Sequence, residues 1–207
     1  MARARRIKFL FPAAIAAALL VSAPAHAQGY SQGYLFLKAV KEKDGSKVLE
    51  MLHKPGSTLV DSRDITTGES ALHIVVERRD LTWINFLLRE GANPNIRDNK
   101  GVTPLVLATQ LGFVDGASAL ITKGAQVDIP NSTGETPLIT AVHNHDLQLI
   151  RILLKAGADP DRADSSGRTA RDYAARAGND SSLVDIIDEN ALPADQREGA
   201  SSYGPSI

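Results

Sequence analysis

The feature of this sequence that most constrains its fold is a pattern that recurs every 33 residues. Its clearest copy runs from Gly134 to Asp161 and combines a Thr-Pro-Leu start, two apolar stripes and a Gly-Ala-Asp close. The same frame begins again at Gly68, Gly101 and Gly167. A period of this length predicts small units that bury a continuous core only when they are stacked on one another.

Each unit has the pattern of two short helices joined by turns. Thr136 can cap the first helix, and Pro137 suits the first helical position because its missing N–H costs nothing there. A second helix is expected from about 146 to 156, ending at Gly157. Helices of this length are marginal alone, so each must pack against its neighbours. The predicted fold class is all-α, a solenoid of stacked helix-turn-helix units with short β-turn or hairpin loops.

The chain resembles the ankyrin-repeat family, whose unit of 33 residues carries the motif T-P-L-H-x-A. Residues 136–141 and 103–108 each match four of the five specified positions. The motif histidine, which usually braces the turn, is kept at His73 and replaced by Val106 and Ile139. The resemblance implies about five repeats including both caps, with these bounds: 35–64 (N-terminal cap), 65–97, 98–130, 131–163 and 164–190 (C-terminal cap).

The first 27 residues have the organisation of a bacterial-type secretion signal. A basic start is followed by an apolar run at 9–21, and Ala25-His26-Ala27 places small residues at both positions that a signal peptidase reads. The run is too short to span a membrane, which needs about 20 apolar residues. Cleavage is predicted after Ala27, with an uncleaved anchor as the alternative. The expected location is therefore the periplasm or the extracellular space, with no membrane attachment after cleavage.

Two flanking segments lack the repeat pattern. Residues 28–34 have no apolar period and are predicted to be a flexible lead-in. Residues 191–207 are rich in Gly, Ser and Pro and are predicted to be a disordered tail. A partner-binding motif in this tail is an alternative to a plain solvated end.

Composition excludes several classes of function. The chain has no cysteine, which excludes disulfides, zinc–thiolate sites and thiol chemistry. The whole chain has a net charge of −1, and removing the basic signal makes the mature chain more acidic. This balance argues against a nucleic-acid-binding protein, which normally has a basic face.

Residues for catalysis or metal binding do not form a convincing pattern. The sequence has no nucleophile elbow, phosphate-binding loop or zinc-protease motif. His143 and His145 are candidate metal ligands, but residues two apart on a helix point about 200° apart. The repeat alignment instead places His145 in the left-handed position of Gly112, and acidic residues such as Asp164 in turns. We therefore predict no enzyme activity, no cofactor and no metal; a metal-binding or hydrolytic enzyme is the weaker alternative.

The resemblance also implies a binding surface, because partners of ankyrin-repeat proteins usually dock on the hairpin tips and the exposed edge of the first helix. The residues at these positions are Glu69, Glu77, Arg78, Arg97, Asn99, Lys100, Val102, Gln110, Leu111, Ser132, Thr133, Glu135, His143, Asn144, Ser165, Ser166, Arg168 and Arg176. Five of them are basic, which favours a partner protein with an acidic surface. Val102 and Leu111 are apolar at positions expected to be exposed, which favours contact. The alternative is that the whole set is only solvated.

These observations favour a non-catalytic protein–protein interaction module in the periplasm that is itself a monomer. An exported effector that acts on another cell is the main alternative, since both would carry a secretion signal. The sequence does not name the partner, because the residues that repeat account for stacking alone.

The third repeat has a thin second helix. Gly116 and Ala117 stand where the next repeat has larger apolar residues. Equivalent residues stack in a solenoid, so Trp83 of the preceding repeat is a candidate to fill the space beside Gly116. The alternative is that Trp83 is ordinary core and the third repeat is loosely packed.

Overall fold

A computed structural model describes residues 31–177 and 181–197. The predicted signal peptide lies outside these residues, as do the start of the predicted lead-in and the last part of the predicted tail.

Ten α-helices occur within the described residues, and they confirm the all-α prediction. Their bounds are α1 Gln32–Lys41, α2 Gly45–Leu52, α3 Ala71–Glu77, α4 Leu81–Arg89, α5 Pro104–Gln110, α6 Val114–Thr122, α7 Pro137–His143, α8 Leu147–Lys155, α9 Ala170–Arg176 and α10 Ser181–Asn190. Short 3-10 turns cover Leu59–Asp61 and Ala194–Gln196. The described part of the chain contains no β-strand, only an isolated bridge between Arg63 and Ser70.

The helices begin where the sequence supplies caps. The hydroxyl oxygens of Thr103 and Thr136 each accept a hydrogen bond from a first-turn N–H at 3.2 Å, as predicted for Thr136. Asp80 and Asp146 cap α4 and α8 in the same way. At α6 the cap position is Phe113, whose side chain makes no capping bond.

The helices form two layers. The first helix of each repeat packs on the first helix of the next, in the order α1, α3, α5, α7 and α9. The second helices α4, α6, α8 and α10 stack beside them. The core between the layers consists mainly of Leu, Ile, Val and Ala side chains that are fully buried. Each helix pair thus buries its apolar face against its neighbours, which isolated helices of this length could not do.

Backbone hydrogen bonds join the hairpins of successive repeats. An N–H at one hairpin tip donates to a carbonyl at the preceding tip, each time at 3.0 Å. The three bonds are Asn99 N to Thr67 O, Ser132 N to Lys100 O, and Ser165 N to Thr133 O. Because these bonds use backbone atoms only, the side chains at the tips are free to vary.

A second row of bonds follows the Gly-Ala closes. The side chain of an Asp or Asn in one repeat accepts a backbone N–H of the next repeat. The pairs are Asp61 with Asn93 N (2.8 Å), Asn95 with Gln126 N (2.8 Å) and Asp128 with Asp159 N (3.1 Å). These side chains therefore act as joints between repeats.

The C-terminal end of the stack differs from the prediction for residues 191–197. Asp161 stands at the next place in this row of joints, and its carboxylate accepts bonds from Arg197 Nη1 and Arg171 Nε, each at 2.8 Å. Arg197 also binds Asp159 at 2.9 Å and the carbonyl of Leu192 at 2.9 Å. The prediction of disorder therefore fails for residues 191–197, because one arginine replaces the N–H that a further repeat would supply.

The start of the stack differs in a smaller way. Helix α1 already begins at Gln32, within the predicted flexible lead-in. Ser31 caps it by accepting a hydrogen bond from Tyr34 N at 3.1 Å. The apolar period alone could not detect these residues, because a polar cap and a first turn carry no apolar stripe.

The aromatic ring beside Gly116 is that of Phe113, not that of Trp83. A Cβ added to Gly116 would overlap the Phe113 ring, which lies three residues earlier in the same helix turn. Trp83 instead packs edge-on against Phe86, with ring centroids 5.3 Å apart. The proposed packing of Trp83 over Gly116 is therefore wrong, because a local partner already occupies the space.

Candidate protein-binding surface

The predicted surface residues divide by exposure. Most are exposed: Glu77, Arg97, Asn99, Lys100, Gln110, Ser132, Thr133, His143, Asn144, Ser165, Ser166, Arg168 and Arg176. The other predicted residues are half-buried: Glu69, Arg78, Val102, Leu111 and Glu135. The expectation that Val102 and Leu111 are exposed apolar contacts is therefore wrong. Leu111 packs against the core, and the carbonyl of Val102 accepts a bond from His73 Nε2 at 3.0 Å.

Arg78 joins the first two repeats. Its Nη1 donates to the carbonyl of Val40 at 3.0 Å, and its Nε lies 3.3 Å from Asp80. The guanidinium also lies 5.6 Å from the ring centroid of Trp83. Its side chain is only 23% exposed, so this cation holds the fold together rather than facing a partner.

Arg97, although exposed, has a similar internal task at the hairpins. Its Nε donates to Gly101 O at 3.2 Å, and its Nη2 donates to Pro130 O of the next repeat at 2.8 Å. The amides of Asn99 and Asn144 also bond to carbonyls of the preceding repeats, at 2.9 and 3.3 Å. These side chains have their donors committed inside the chain.

Three predicted cations remain available. Lys100, Arg168 and Arg176 are exposed, and none of them makes a hydrogen bond or ion pair with residues 31–177 or 181–197. Of the five basic residues expected to attract an acidic partner, the two arginines Arg78 and Arg97 are thus used internally. The groove is consequently less basic than its composition indicated.

An aromatic cluster lies between α7 and α9. The rings of His143 and Tyr173 meet edge-on with centroids 4.3 Å apart, and the Arg168 guanidinium carbon lies 5.9 Å from the Tyr173 centroid. His143 Nδ1 lies 3.1 Å from Glu135 Oε1, so this nitrogen carries the proton that the carboxylate accepts. The contacts hold His143 and Tyr173 in place before any partner arrives.

Tyr173 was not among the predicted surface residues. Its hydroxyl donates to Asp164 Oδ2 at 2.7 Å, and Ser166 donates to the same carboxylate at 2.7 Å. These hydroxyl bonds, chiefly that from Tyr173, hold the pKa of Asp164 well below its ordinary value. The sequence offered one signal for Tyr173, namely an aromatic residue in α9 at the register where α7 has Thr140.

The His143–His145 pair does not converge. His145 has a positive φ of 52°, as its alignment with Gly112 predicted, and its Nδ1 lies 3.2 Å from the carbonyl of His143. Among the described residues, no group of three or more His, Asp or Glu side chains could hold a metal ion.

A shallow cleft of about 370 Å³ lies at the other end of the face. It is lined by Lys41, Glu69, Ile74, Glu77 and Arg78. In residues 31–177 and 181–197, no helix combines the length and apolar character needed to cross a membrane.

Comparisons with known proteins agree with the repeat structure. Two models of ankyrin repeats match the chain, at residues 36–131 and 120–174. A putative ankyrin repeat protein of fowlpox virus is 37% identical over 59 residues, which cover 28% of this chain and 17% of that protein. Human diacylglycerol kinase iota is 34% identical over 102 residues, covering 49% of this chain and 9% of the kinase. The human 2-5A-dependent ribonuclease is 33% identical over 81 residues, covering 39% and 11%.

The chain thus spans less than a fifth of the length of each of these relatives. Ankyrin repeats indicate a protein–protein interaction module. The stacked helix pairs and the two matches, which together run from residue 36 to residue 174, establish that the chain belongs to the ankyrin-repeat family.

Proposed function

We propose that the chain is a non-catalytic module that is exported to the periplasm and binds a partner protein along its hairpin tips and inner helices. The observation that carries this proposal is the division of labour on that face. Backbone bonds at 3.0 Å fix the hairpins, while Lys100, Gln110 and Arg176 project without internal partners among the described residues.

A fixed surface of this kind favours binding because little conformational freedom is lost when a partner docks. Tyr173 and His143 add aromatic area at low entropic cost, and Arg168 adds a cation beside them. Tyrosine and arginine are the residue types enriched among the energetically dominant residues of interfaces. The acidic partner surface inferred from the basic residues would then contact these groups.

The binding face can be tested by photo-crosslinking in the native compartment. A photoreactive amino acid is placed at Lys100 or Gln110 on the inner face, and at Arg151 on the outer helix α8 as a matched exposed control. We expect one protein to be captured from both inner positions and not from Arg151. Capture from Arg151 alone would place the interface on the outer helices and contradict the proposal.

Export is tested separately by the mass and location of the mature protein. Cleavage after Ala27 gives a chain that begins at Gln28, recovered from the periplasmic fraction. Recovery in the culture medium would favour the effector alternative. An uncleaved chain in the membrane fraction would contradict the predicted signal peptide.

A further inference from the structure

The last residue of each inner helix changes in charge from the second repeat to the fifth. These four residues are spaced 33 apart and are all exposed. They are Glu77 at the end of α3, Gln110 at the end of α5, His143 at the end of α7 and Arg176 at the end of α9. Because equivalent residues of stacked repeats lie in a row, this row runs from a carboxylate to a guanidinium.

A second row has the same direction. The residues that follow the hairpin glycines are Glu69, Val102, Glu135 and Arg168. The carboxylate in the middle of this row, that of Glu135, is already bound to His143 Nδ1 at 3.1 Å. Both rows therefore place an acidic residue at the second repeat and an arginine at the fifth.

The opposing charges at the fifth repeat are held inside the chain. Asp164 accepts bonds from Tyr173 and Ser166, each at 2.7 Å. Asp172 accepts the backbone N–H and the hydroxyl of Thr169, both at 2.9 Å. These carboxylates have their acceptors occupied, so the outward groups at this end are hydrogen-bond donors.

At the second repeat the cation is withheld instead. Arg78 donates to the carbonyl of Val40 at 3.0 Å and is mostly buried. The outward carboxylates of Glu69 and Glu77 line the shallow cleft together with Lys41, which offsets one of the two negative charges. The face is therefore acidic at one end and basic at the other, rather than basic throughout.

We propose that this face takes an extended segment of the partner protein whose charges run in the opposite order. Basic side chains lie over Glu69 and Glu77, and acidic side chains lie over Arg168 and Arg176. Three helix-to-helix steps of 8–10 Å separate the two ends, roughly 25–30 Å, which about nine extended residues span. This inference rests on the proposed function, because it assumes that the inner face is the interface.

The test uses a synthetic peptide of twelve residues with lysines at one end, serines in the middle and glutamates at the other. A peptide of the same composition with alternating charges is the control. At low salt we expect the ordered peptide to bind roughly fivefold more tightly, as two or three exposed ion pairs would give. The difference disappears at high salt because exposed charges are screened.

The orientation of the peptide is read by energy transfer. The chain has no cysteine, so a single acceptor dye can be attached at Thr66→Cys or at Ser165→Cys, on the hairpin tips of the second and fifth repeats. With the donor dye on the glutamate end, we expect strong transfer to position 165 and weak transfer to position 66.

Exchanging the end charges reverses this result. The double variant Glu77→Arg with Arg176→Glu keeps the net charge, and transfer is expected to become stronger at position 66. The matched control, Asp115→Arg with Arg151→Asp, makes the same exchange on the outer helices α6 and α8 and leaves the orientation unchanged.

The outcomes separate this inference from the function on which it rests. Equal binding of the two peptides, or an orientation that ignores the exchange, overturns the charge order even where photo-crosslinks from Gln110 persist. A dimer of this chain that depends on Glu77 and Arg176 overturns the partner segment in favour of a second copy. Photo-crosslinks from Arg151 alone overturn the proposed function itself.

Discussion

Neighbouring repeats inside the stack are joined by bonds to backbone N–H groups, whereas the C-terminal end is closed by a side chain. At the last interior junction, Ser165 N donates to Thr133 O and Asp159 N donates to Asp128. Beyond that junction, the guanidinium of Arg197 takes the place of the missing N–H. Joints that use a backbone N–H recur with the period, but a closure that depends on one side chain occurs wherever that side chain happens to be.

The comparison also explains where binding residues can vary. A hairpin that is held by its backbone tolerates Asn99, Lys100, Ser132 or Ser165 at its tip. Specificity can therefore change from one repeat to the next without loss of stacking. The terminal closure has no such freedom, because its geometry requires an arginine fork between two carboxylates.

The largest expected effect contrasts two hairpin glycines. Gly134 and Gly167 have nearly equal φ values, 79° and 78°, where any alanine is strained by about 1–2 kcal/mol. At Gly134 an added Cβ would also lie 2.5 Å from Ser165 N, in the hairpin of the next repeat, whereas at Gly167 nothing lies within 4 Å. We expect Gly134→Ala to lower the free energy of unfolding by about 3 kcal/mol or more, and Gly167→Ala by about 1 kcal/mol. Equal losses in urea unfolding would show that the interior hairpin is no tighter than the last one.

Local repeated chemistry made the fold predictable. The threonine cap, the proline at the first helical position and the left-handed residue after the first helix each act within a few residues. They recur in one frame, and the structure has them where the frame places them, down to the positive φ of His145. Phe113 shows the limit of the frame, because the residue beside Gly116 was sought one repeat away and lies three residues away.

The binding surface was only partly predictable, because exposure and charge do not reveal internal partners. Arg78 and Arg176 both read as groove cations, yet the acceptor of Arg78 is a carbonyl 38 residues upstream. Nothing in the sequence near Arg78 marks that carbonyl. Arg197 is equally hidden, since its acceptors Asp159 and Asp161 read as turn residues and its own segment has no apolar period.

The second prediction compares those two groove arginines. Arg78→Ala removes a charged donor from the Val40 carbonyl at the junction of the first two repeats, so we expect a loss of about 2 kcal/mol. Arg176→Ala removes an exposed side chain without a hydrogen bond or ion pair in the described chain, so a change within about 0.5 kcal/mol is expected. Thermal and urea unfolding measure both variants. A destabilised Arg176→Ala would mean that this arginine is structural and weaken its role in binding.

The third prediction concerns the closure at the C-terminal end. Arg197→Ala leaves Asp159 and Asp161 without its guanidinium, and we expect a loss of about 1–2 kcal/mol. Faster amide exchange in α10 should accompany this loss, because that helix forms the last layer of the stack. Arg162→Ala is the matched control, since its exposed side chain bonds to no described residue. Unchanged exchange in α10 with Arg197→Ala would show that the closure does not stabilise the end.

The smallest effect concerns a side chain that joins repeats inside the stack, His73. Its Nε2 lies 3.0 Å from the carbonyl of Val102, which can only accept, so Nε2 carries the proton. Nδ1 therefore accepts a bond from Ser70 N at 3.2 Å. A second proton at Nδ1 would break that bond in a buried site.

Burial lowers the pKa of His73 below its ordinary value, although the Val102 carbonyl and the nearby Asp98 favour the charged form. Between the lowered folded-state pKa and the ordinary value of about 6.5, the unfolded chain binds the proton and the folded chain does not. The stability that neutral His73 contributes is thus complete above about pH 6.5 and is lost as the pH falls through the folded-state pKa.

The next two repeats supply the control, because they carry Val106 and Ile139 at this position. We expect His73→Val to cost about 1 kcal/mol at pH 8 and progressively less towards pH 5, so the two unfolding curves converge on acidification. The comparison cancels the exposed histidines, which both proteins share. A difference that stayed constant from pH 8 to pH 5 would mean that His73 keeps its ordinary pKa, and that the junction it braces depends on packing alone.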